Sequence, residues 1–517
     1  MEHEQPDPVQ QEVAAFLGDP RSHGGVAVER VDTHAAMLFL AGDRAYKLKR
    51  AVRYPYLDYS TVDRRHAACV AELTLNRRTA PTLYLGVEPV VRRSGVGAGA
   101  GALALGGDGA VLDWVVVMRR FPDDALLERM AERGALTDAV LRDLADAVAA
   151  FHRSAERRPD GGGAAAMRAV VGGNLEELRQ SPALFAPDLL DQLARRSAEA
   201  LERLAPLMDR RPADGFVRLC HGDLHLRNIV LLDGRPTLFD GIEFDLSFAA
   251  IDIAYDLAFL LMDLERRGLR GAANAVLNRW LDATGDIDGL ALLPLFLSAR
   301  AAVRAKVATA ASKLRADRAE TAELEREAAG YLELAIRALT PPPPRLVAVG
   351  GLSGTGKTRL ALALAPELGP MPGAVLLRSD VLRKRLFGAA DTDRLPPEAY
   401  DAAVTRRVYA ELGARARRVL ATGHAAVADA VHARPEERAD IAAAARDSGA
   451  RFDGVWLDAP LETRVARVSS RRGDASDATA EVAKRQEAYD VGAIDWLRVD
   501  AGRDAADALA ALRKRLS

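Results

Sequence analysis

The chain has 517 residues, 49% of them hydrophobic and 28% charged, with a formal net charge of −2. That length exceeds one ordinary core and suits two to four domains; the composition excludes a disordered chain, and the charge gives no global attraction to nucleic acid or anionic membrane. Its only cysteines, Cys69 and Cys220, are too few for a disulfide scaffold or a zinc cluster. Residues 1–8 are polar and acidic, without the basic and apolar regions of a signal peptide, and 1–24 read as a polar N-terminal segment. The apolar runs, such as 292–297, fall far short of a membrane span. A cytoplasmic enzyme without a membrane partner is the expectation.

Residues 25–121 read as a sheet-rich lobe. Strand-like runs occupy 36–40, 45–48 and 114–118, and a helical stretch spans about 62–79. The Gly/Ala segment 94–110 lacks both a lysine and a helix start, so it reads as a hairpin tip. An amphipathic helix over 135–153 belongs to a larger helical lobe, 122–340, in which Gly161-Gly162-Gly163 is a loop. Four prolines, 341–344, cannot continue a helix and favour stiff extended geometry, marking a linker. A further domain, 345–517, starts with the apolar run 346–349. Runs at 374–377, 425–428, 455–458 and 496–499 complete a five-strand parallel pattern.

Phosphoryl transfer from ATP needs a carboxylate for the attacking hydroxyl, metal ligands beside the phosphates, and a cation on the α/β-phosphates. His221-Gly222-Asp223-Leu224-His225-Leu226-Arg227-Asn228, followed by Phe239-Asp240-Gly241, offers the first two. Asp223 and Asn228 stand five apart, as in the protein-kinase catalytic loop, and Asp240 ends an apolar run from which it reaches magnesium. Upstream, Ala45-Tyr46-Lys47 mirrors the strand lysine, and Glu72 in the next helix is its ion-pair partner. Lys49, on the same strand face, is the alternative phosphate ligand. No glycine-rich loop precedes them; residues 31–34 occupy that region. Glu243 and His225 are candidates for substrate contact or support, and Asp256 for holding the catalytic loop from a helix.

These residues, with Asp252-Ile253-Ala254-Tyr255-Asp256-Leu257-Ala258, resemble the aminoglycoside phosphotransferase and choline-kinase-like branch of the kinase fold over about 25–335. The resemblance implies an α+β bilobal protein-kinase-like fold. It makes Asp223 the catalytic aspartate, Asn228 and Asp240 metal ligands, and 118–121, beginning at Met118, the hinge against adenine. Gly222 in place of the protein-kinase arginine fits a small-molecule kinase. Fold analogy does not choose the acceptor: a sugar, an amino alcohol or a nucleoside suits it as well as an aminoglycoside.

Gly351-Leu352-Ser353-Gly354-Thr355-Gly356-Lys357-Thr358, between a strand and a helix, is a full phosphate loop. Backbone amides and the helix N-terminus face the β-phosphate, Lys357 reaches the β/γ oxygens, and Thr358 ligates magnesium. Asp380, beyond the second strand, faces the ligand crevice as a candidate base, with Arg383 after it. Asp429, ending the third strand, is a candidate for the magnesium shell. Arg464, Arg467, Arg471 and Arg472 read as a lid closing on phosphate, with its hinge at Gly473-Asp474.

This α/β half resembles the small P-loop kinases: gluconate kinase, chloramphenicol phosphotransferase, the zeta toxins and the 5′-hydroxyl polynucleotide kinases. The last group implies Asp380 as base and Arg383 as the substrate-phosphate arginine. The expectation is a bifunctional ATP- and Mg2+-dependent phosphotransferase acting on small-molecule hydroxyls. Two alternatives concern the second half: a nucleic-acid 5′-hydroxyl kinase, or an ATP-binding switch.

Overall fold

The computed structural model describes residues 7–33, 35–54, 57–94, 101–313, 315, 317–470, 475–502, 509 and 513. They form two compact units. One comprises the residues up to Met167 together with Pro206–Asp263; the other comprises Arg168–Ala205 and the residues from Leu264 onward.

The first unit holds a six-stranded antiparallel sheet. Its spatial order is Val28–Asp32, Ala36–Ala41, Arg44–Lys49, Gly109–Arg119, Tyr84–Arg93, Leu103–Leu105. Side chains alternate across it. Phe39, Tyr46, Leu48, Val115 and Val117 pack with Val13 and Leu17 of the helix Pro8–Gly18. Ala45, Val116 and Met118 pack on the opposite face with Cys69 of the helix Val62–Asn76. That helix is capped by Thr61, whose hydroxyl accepts from Arg64 N, and it buries Arg65, Cys69, Glu72 and Asn76. Their three- and four-residue spacing puts Glu72 and Asn76 on one stripe.

All three expected strands are present, and the expected helix over 135–153 runs Asp138–Ser154. Val28–Asp32 was not expected, because four of its five residues are exposed and it carries no apolar alternation. In Tyr84–Arg93, Gly86 and Pro89 blur the pattern, and the ladder is irregular beside Gly86. Of the expected hairpin tip at 94–110, residues 95–100 lie outside the described residues, and Leu103–Leu105 is a strand.

The second unit carries a five-stranded sheet with every neighbouring pair parallel. The order is Val375–Arg378, Ala426–Asp429, Arg345–Gly350, Arg451–Asp458, Leu497–Asp500, which are the five strands read from the sequence. Val347, Val349, Val427, Val455 and Leu457 form its core, as expected for a sheet covered on both faces. Three strands deliver functional segments at their C-terminal ends, where ligands of such sheets bind.

The edge strand Val375–Arg378 is covered by the helix Arg270–Thr284. Asn278 Oδ1 accepts from Leu376 N at 2.6 Å while its Nδ2 donates to Ala374 O at 3.2 Å, and Asn274 Nδ2 donates to the same carbonyl at 3.0 Å. Ion pairs Arg279–Asp391 (2.5 Å) and Arg385–Asp282 (2.6 Å) flank this contact. Among the described residues no helix is long and apolar enough to cross a membrane.

Candidate active sites

The first site is built on the loop after the strand Val217–Leu219. Gly222 has φ +83, and a Cβ there would lie 3.0 Å from Ile242 Cδ1 and 3.2 Å from Phe248 O, so a side chain there would be strained and crowded. Asp256, fully buried on the helix Ile253–Arg266, accepts from His221 N (3.1 Å) and Gly222 N (2.9 Å), and its Oδ2 lies 3.1 Å from His152 Nε2. Seven residues along, Asp263 accepts from Leu226 N at 3.0 Å. The loop is thus hung from one helix by two carboxylates. It presents the Asp223 side chain 36% exposed, with His225 Nε2 at 3.3 Å and Asn228 Nδ2 donating to it at 2.9 Å. With its amide nitrogen turned to Asp223, Asn228 has its carbonyl oxygen as the end suited to a hard divalent cation.

Asp240 completes this cluster. Its φ of +59 is uncommon for a residue with a side chain and is held by its surroundings. Asp240 N donates to Tyr84 OH (3.1 Å), Gly241 N to Asn76 Oδ1 (2.8 Å), and Ile242 N to His221 O (3.0 Å). Lys47 Nζ bridges Glu72 Oε1 (2.8 Å) and Asp240 Oδ1 (2.6 Å). Lys49 Nζ bridges the other Glu72 oxygen (2.7 Å) and Glu243 Oε1 (2.5 Å). The two lysines share a strand face but differ in depth: Lys47 keeps 14% of its side chain exposed and touches Asp240, whereas Lys49 is 2% exposed. Burial pushes the Glu72 carboxyl up, but Lys47 and Lys49 more than offset it and hold the group down at about 2. Met118 is buried with Ala45, Val230, Phe121 and Phe239, forming an apolar wall beside the lysine strand.

In the second unit, the strand Arg345–Gly350 runs into the phosphate loop and the helix Lys357–Leu364. The amides of Gly351, Ser353 and Thr355 are committed within the protein, to Val431 O, Gln486 Oε1 and Leu352 O. These three residues shape the loop, and Gly356 caps the helix that carries Lys357 and Thr358. Thr358 Oγ1 donates to Asp429 Oδ2 at 2.6 Å, bringing together the two groups expected beside magnesium. Burial raises the Asp429 carboxyl above its usual range, against the opposing pull of Lys357 and Arg378. Asp380 lies in the first turn of the helix Ser379–Leu386, just beyond the strand, and its charge is felt at Asp429, Tyr400 and Tyr409.

Two arginines differ from their sequence reading. Arg383 is buried: its Nη1 donates to Ala399 O (2.6 Å) and Thr405 Oγ1 (3.3 Å), and its guanidinium lies over Tyr400, so it braces the 397–405 segment. Arg464 is also buried, paired with Glu487 and donating to Ser353 O at 3.4 Å, so it is a strut of the phosphate loop and not part of a lid. Arg467 Nη1 reaches Thr355 O at 3.5 Å, already against the loop. Arg471, Arg472 and the expected hinge at Gly473-Asp474 lie outside the described residues.

Gly354 has φ +90, and a Cβ there would fall 2.5 Å from Arg464 O. Gly354→Ala is expected to weaken nucleotide binding at this loop by about five- to 150-fold, from strain of roughly 1–3 kcal/mol. Titration of a fluorescent ATP analogue checks it, and an unchanged Kd counts against this packing.

Residues 87–293 match the model of the phosphotransferase enzyme family, and residues 346–490 match that of an AAA domain. An uncharacterized protein of Mycobacterium tuberculosis is 31% identical over 473 residues, covering 89% of this chain and 90% of its own length. The chain belongs to the family of that protein. Among solved structures, a choline/ethanolamine kinase family protein from Mesorhizobium loti is similar over 64% of this chain and 99% of its own, at 14% identity and a TM-score of 0.38. A gluconokinase from Sinorhizobium meliloti is similar over 34% of this chain and 95% of its own, at 20% identity and a TM-score of 0.24. The phosphotransferase domain and the P-loop domain together make the chain an ATP-dependent kinase.

Several residues of these sites were not foreseen. Asn76 stands one helical turn after Glu72, a spacing that could have flagged it. Tyr84, Gln486 and Asp263 carry no local signal, since each meets its partner only through the fold.

Proposed function

We propose that the chain is a bifunctional, magnesium-dependent phosphotransferase that moves the γ-phosphate of ATP to hydroxyl groups of two small molecules, one at each site. The convergence of Asp223, Asn228, Asp240 and Lys47 within one unit carries this reading. Asp223 orients the acceptor hydroxyl and takes its proton. Lys47, fixed by Glu72, holds the phosphates, and the Met118 wall lies beside adenine. Asn228 and Asp240 in the first site, and Thr358 and Asp429 in the second, are the residues that would hold magnesium. The bound ion would neutralise charge on the β- and γ-phosphates. In the second site Lys357 binds the phosphate oxygens, Arg467 approaches from the loop's rim, and Asp380 serves as base. We place the activity in the cytoplasm, where Cys69 and Cys220, neither in a disulfide, stay reduced.

The test is ATP consumption over a panel of hydroxyl compounds with the full-length chain, Asp223→Ala and Lys357→Ala. Each variant is expected to abolish one acceptor-dependent activity and spare the other. Asp223→Ala leaving every activity intact would sink the N-terminal assignment. Action on nucleic-acid 5′-hydroxyls is disfavoured by the inward-facing Arg383; label transfer from γ-labelled ATP to a 5′-hydroxyl oligonucleotide, lost in Asp380→Ala, would restore it.

A second reading, an ATP-binding switch, is favoured by one observation. Asn278 grips Leu376, two residues before Arg378, which lies 3.7 Å from Asp429. A change at the phosphate loop therefore has a short path to the helix Arg270–Thr284. On this reading Lys357→Ala alters the KM or kcat of the N-terminal activity; unchanged constants favour independent modules.

A further inference from the structure

The lysine pair is the feature of the first site that its proposed chemistry does not use up. Phosphate binding needs one strand lysine and one helix glutamate, yet this chain encloses a second lysine and a further carboxylate. Lys49 joins Glu72 on the helix to Glu243, three residues beyond Asp240. Tyr59 OH donates to the same Glu243 oxygen at 3.0 Å, and the Lys49 ammonium sits 5.0 Å from the Tyr59 ring centroid. Glu72 is fully buried and the Glu243 side chain 10% exposed, so neither is a solvated surface acid.

The charges explain what the second lysine does. Lys47, Lys49, Glu72, Glu243 and Asp240 sum to −1, and the surplus acid is Asp240, whose side chain is 42% exposed. If Asp240 turns to a divalent cation and Lys47 to phosphate, Lys49 stays paired with both Glu72 and Glu243 and offsets one of their two buried charges. A single lysine could not leave without stranding a buried carboxylate. The segment carrying Asp240 is meanwhile held at each residue: by Tyr84 at 240, Asn76 at 241, the His221 carbonyl at 242 and Lys49 at 243.

Resting on the reading of Asp240 as a metal ligand, we propose that Lys49 and Glu243 are positioning residues that lock the Asp240 segment for divalent-cation binding. Lys49 is then not a phosphate ligand. Groups that orient a metal ligand typically change metal affinity by about 10–100-fold when altered.

The test measures Mn2+ binding to the full-length chain by the loss of its free-ion electron paramagnetic resonance signal. The non-hydrolysable ATP analogue AMP-PNP is present, and Lys357→Ala silences the phosphate loop. In that background Glu243→Gln and Lys49→Met are each expected to raise the Mn2+ dissociation constant at least tenfold. The double variant should be little worse than either alone, and Lys49→Arg should recover most of the loss. Near-wild-type Mn2+ binding by a folded Glu243→Gln chain overturns the proposal. Asp240→Ala separates the two levels: if it leaves Mn2+ binding intact, the metal-ligand reading itself falls. If it abolishes binding while Glu243→Gln changes nothing, only the positioning role falls.

Discussion

Asp223→Asn is expected to lower turnover at the N-terminal site by about a thousandfold, within the 10²–10⁴ range for loss of a positioned acid–base group. The substitution keeps the side chain's size, so Asn228 and His225 retain a partner at that position, and the support from Asp256 and Asp263 is untouched. The KM for ATP should therefore stay within about twofold while kcat falls, the signature of an interaction made only in the transition state. Steady-state kinetics on whichever acceptor the Asp223→Ala comparison identifies reads both constants. A rise in KM with kcat preserved would move Asp223 from catalysis to binding.

Glu72→Gln is expected to be the most destabilising single change in the first unit, by about 3–5 kcal/mol, as when one partner of a buried ion pair is removed. It leaves Lys47 and Lys49 side by side with one fewer negative charge between them. Hydrogen exchange of amides in Arg44–Lys49 and Val62–Asn76 reads the loss locally, without assuming that the whole chain unfolds at once. The pH dependence has a definite sign. The Glu72 carboxyl sits at about 2 in the folded protein, below its ordinary value near 4.3. Its contribution is complete above that ordinary value and is lost as pH falls through 2. The gap between wild type and Glu72→Gln should be full at pH 7 and narrow below about pH 4. A gap that widens on acidification would contradict the pairing.

How much was legible follows from how local each signal is. The P-loop domain was readable strand by strand, because its strands are continuous apolar runs and its loop lies within eight consecutive residues. The first site was readable where spacing is fixed within one element, as for Asp223 and Asn228. Pairings such as Lys47 with Glu72 and Asp256 with the catalytic loop followed a known pattern, but other partners that meet across the fold were not readable. Asn76 and Gly241 are 165 residues apart and Tyr84 and Asp240 are 156 apart, so no periodicity connects them. Arg383 and Arg464 misled for a different reason. An arginine is ordinarily read as facing solvent or ligand, but each of these guanidinium groups finds backbone carbonyls inside the protein. The face of a basic helix that turns inward depends on carbonyls supplied by distant segments.

The two asparagines on the sheet edge bear on how this protein can be divided. The four prolines invite a cut just before Arg345, yet that cut removes the helix whose Asn274 and Asn278 occupy Ala374 O and Leu376 N. A fragment beginning there would display an unpaired, apolar strand edge open to ladder formation with its own copies. A fragment beginning near Leu264 would keep the edge sheathed.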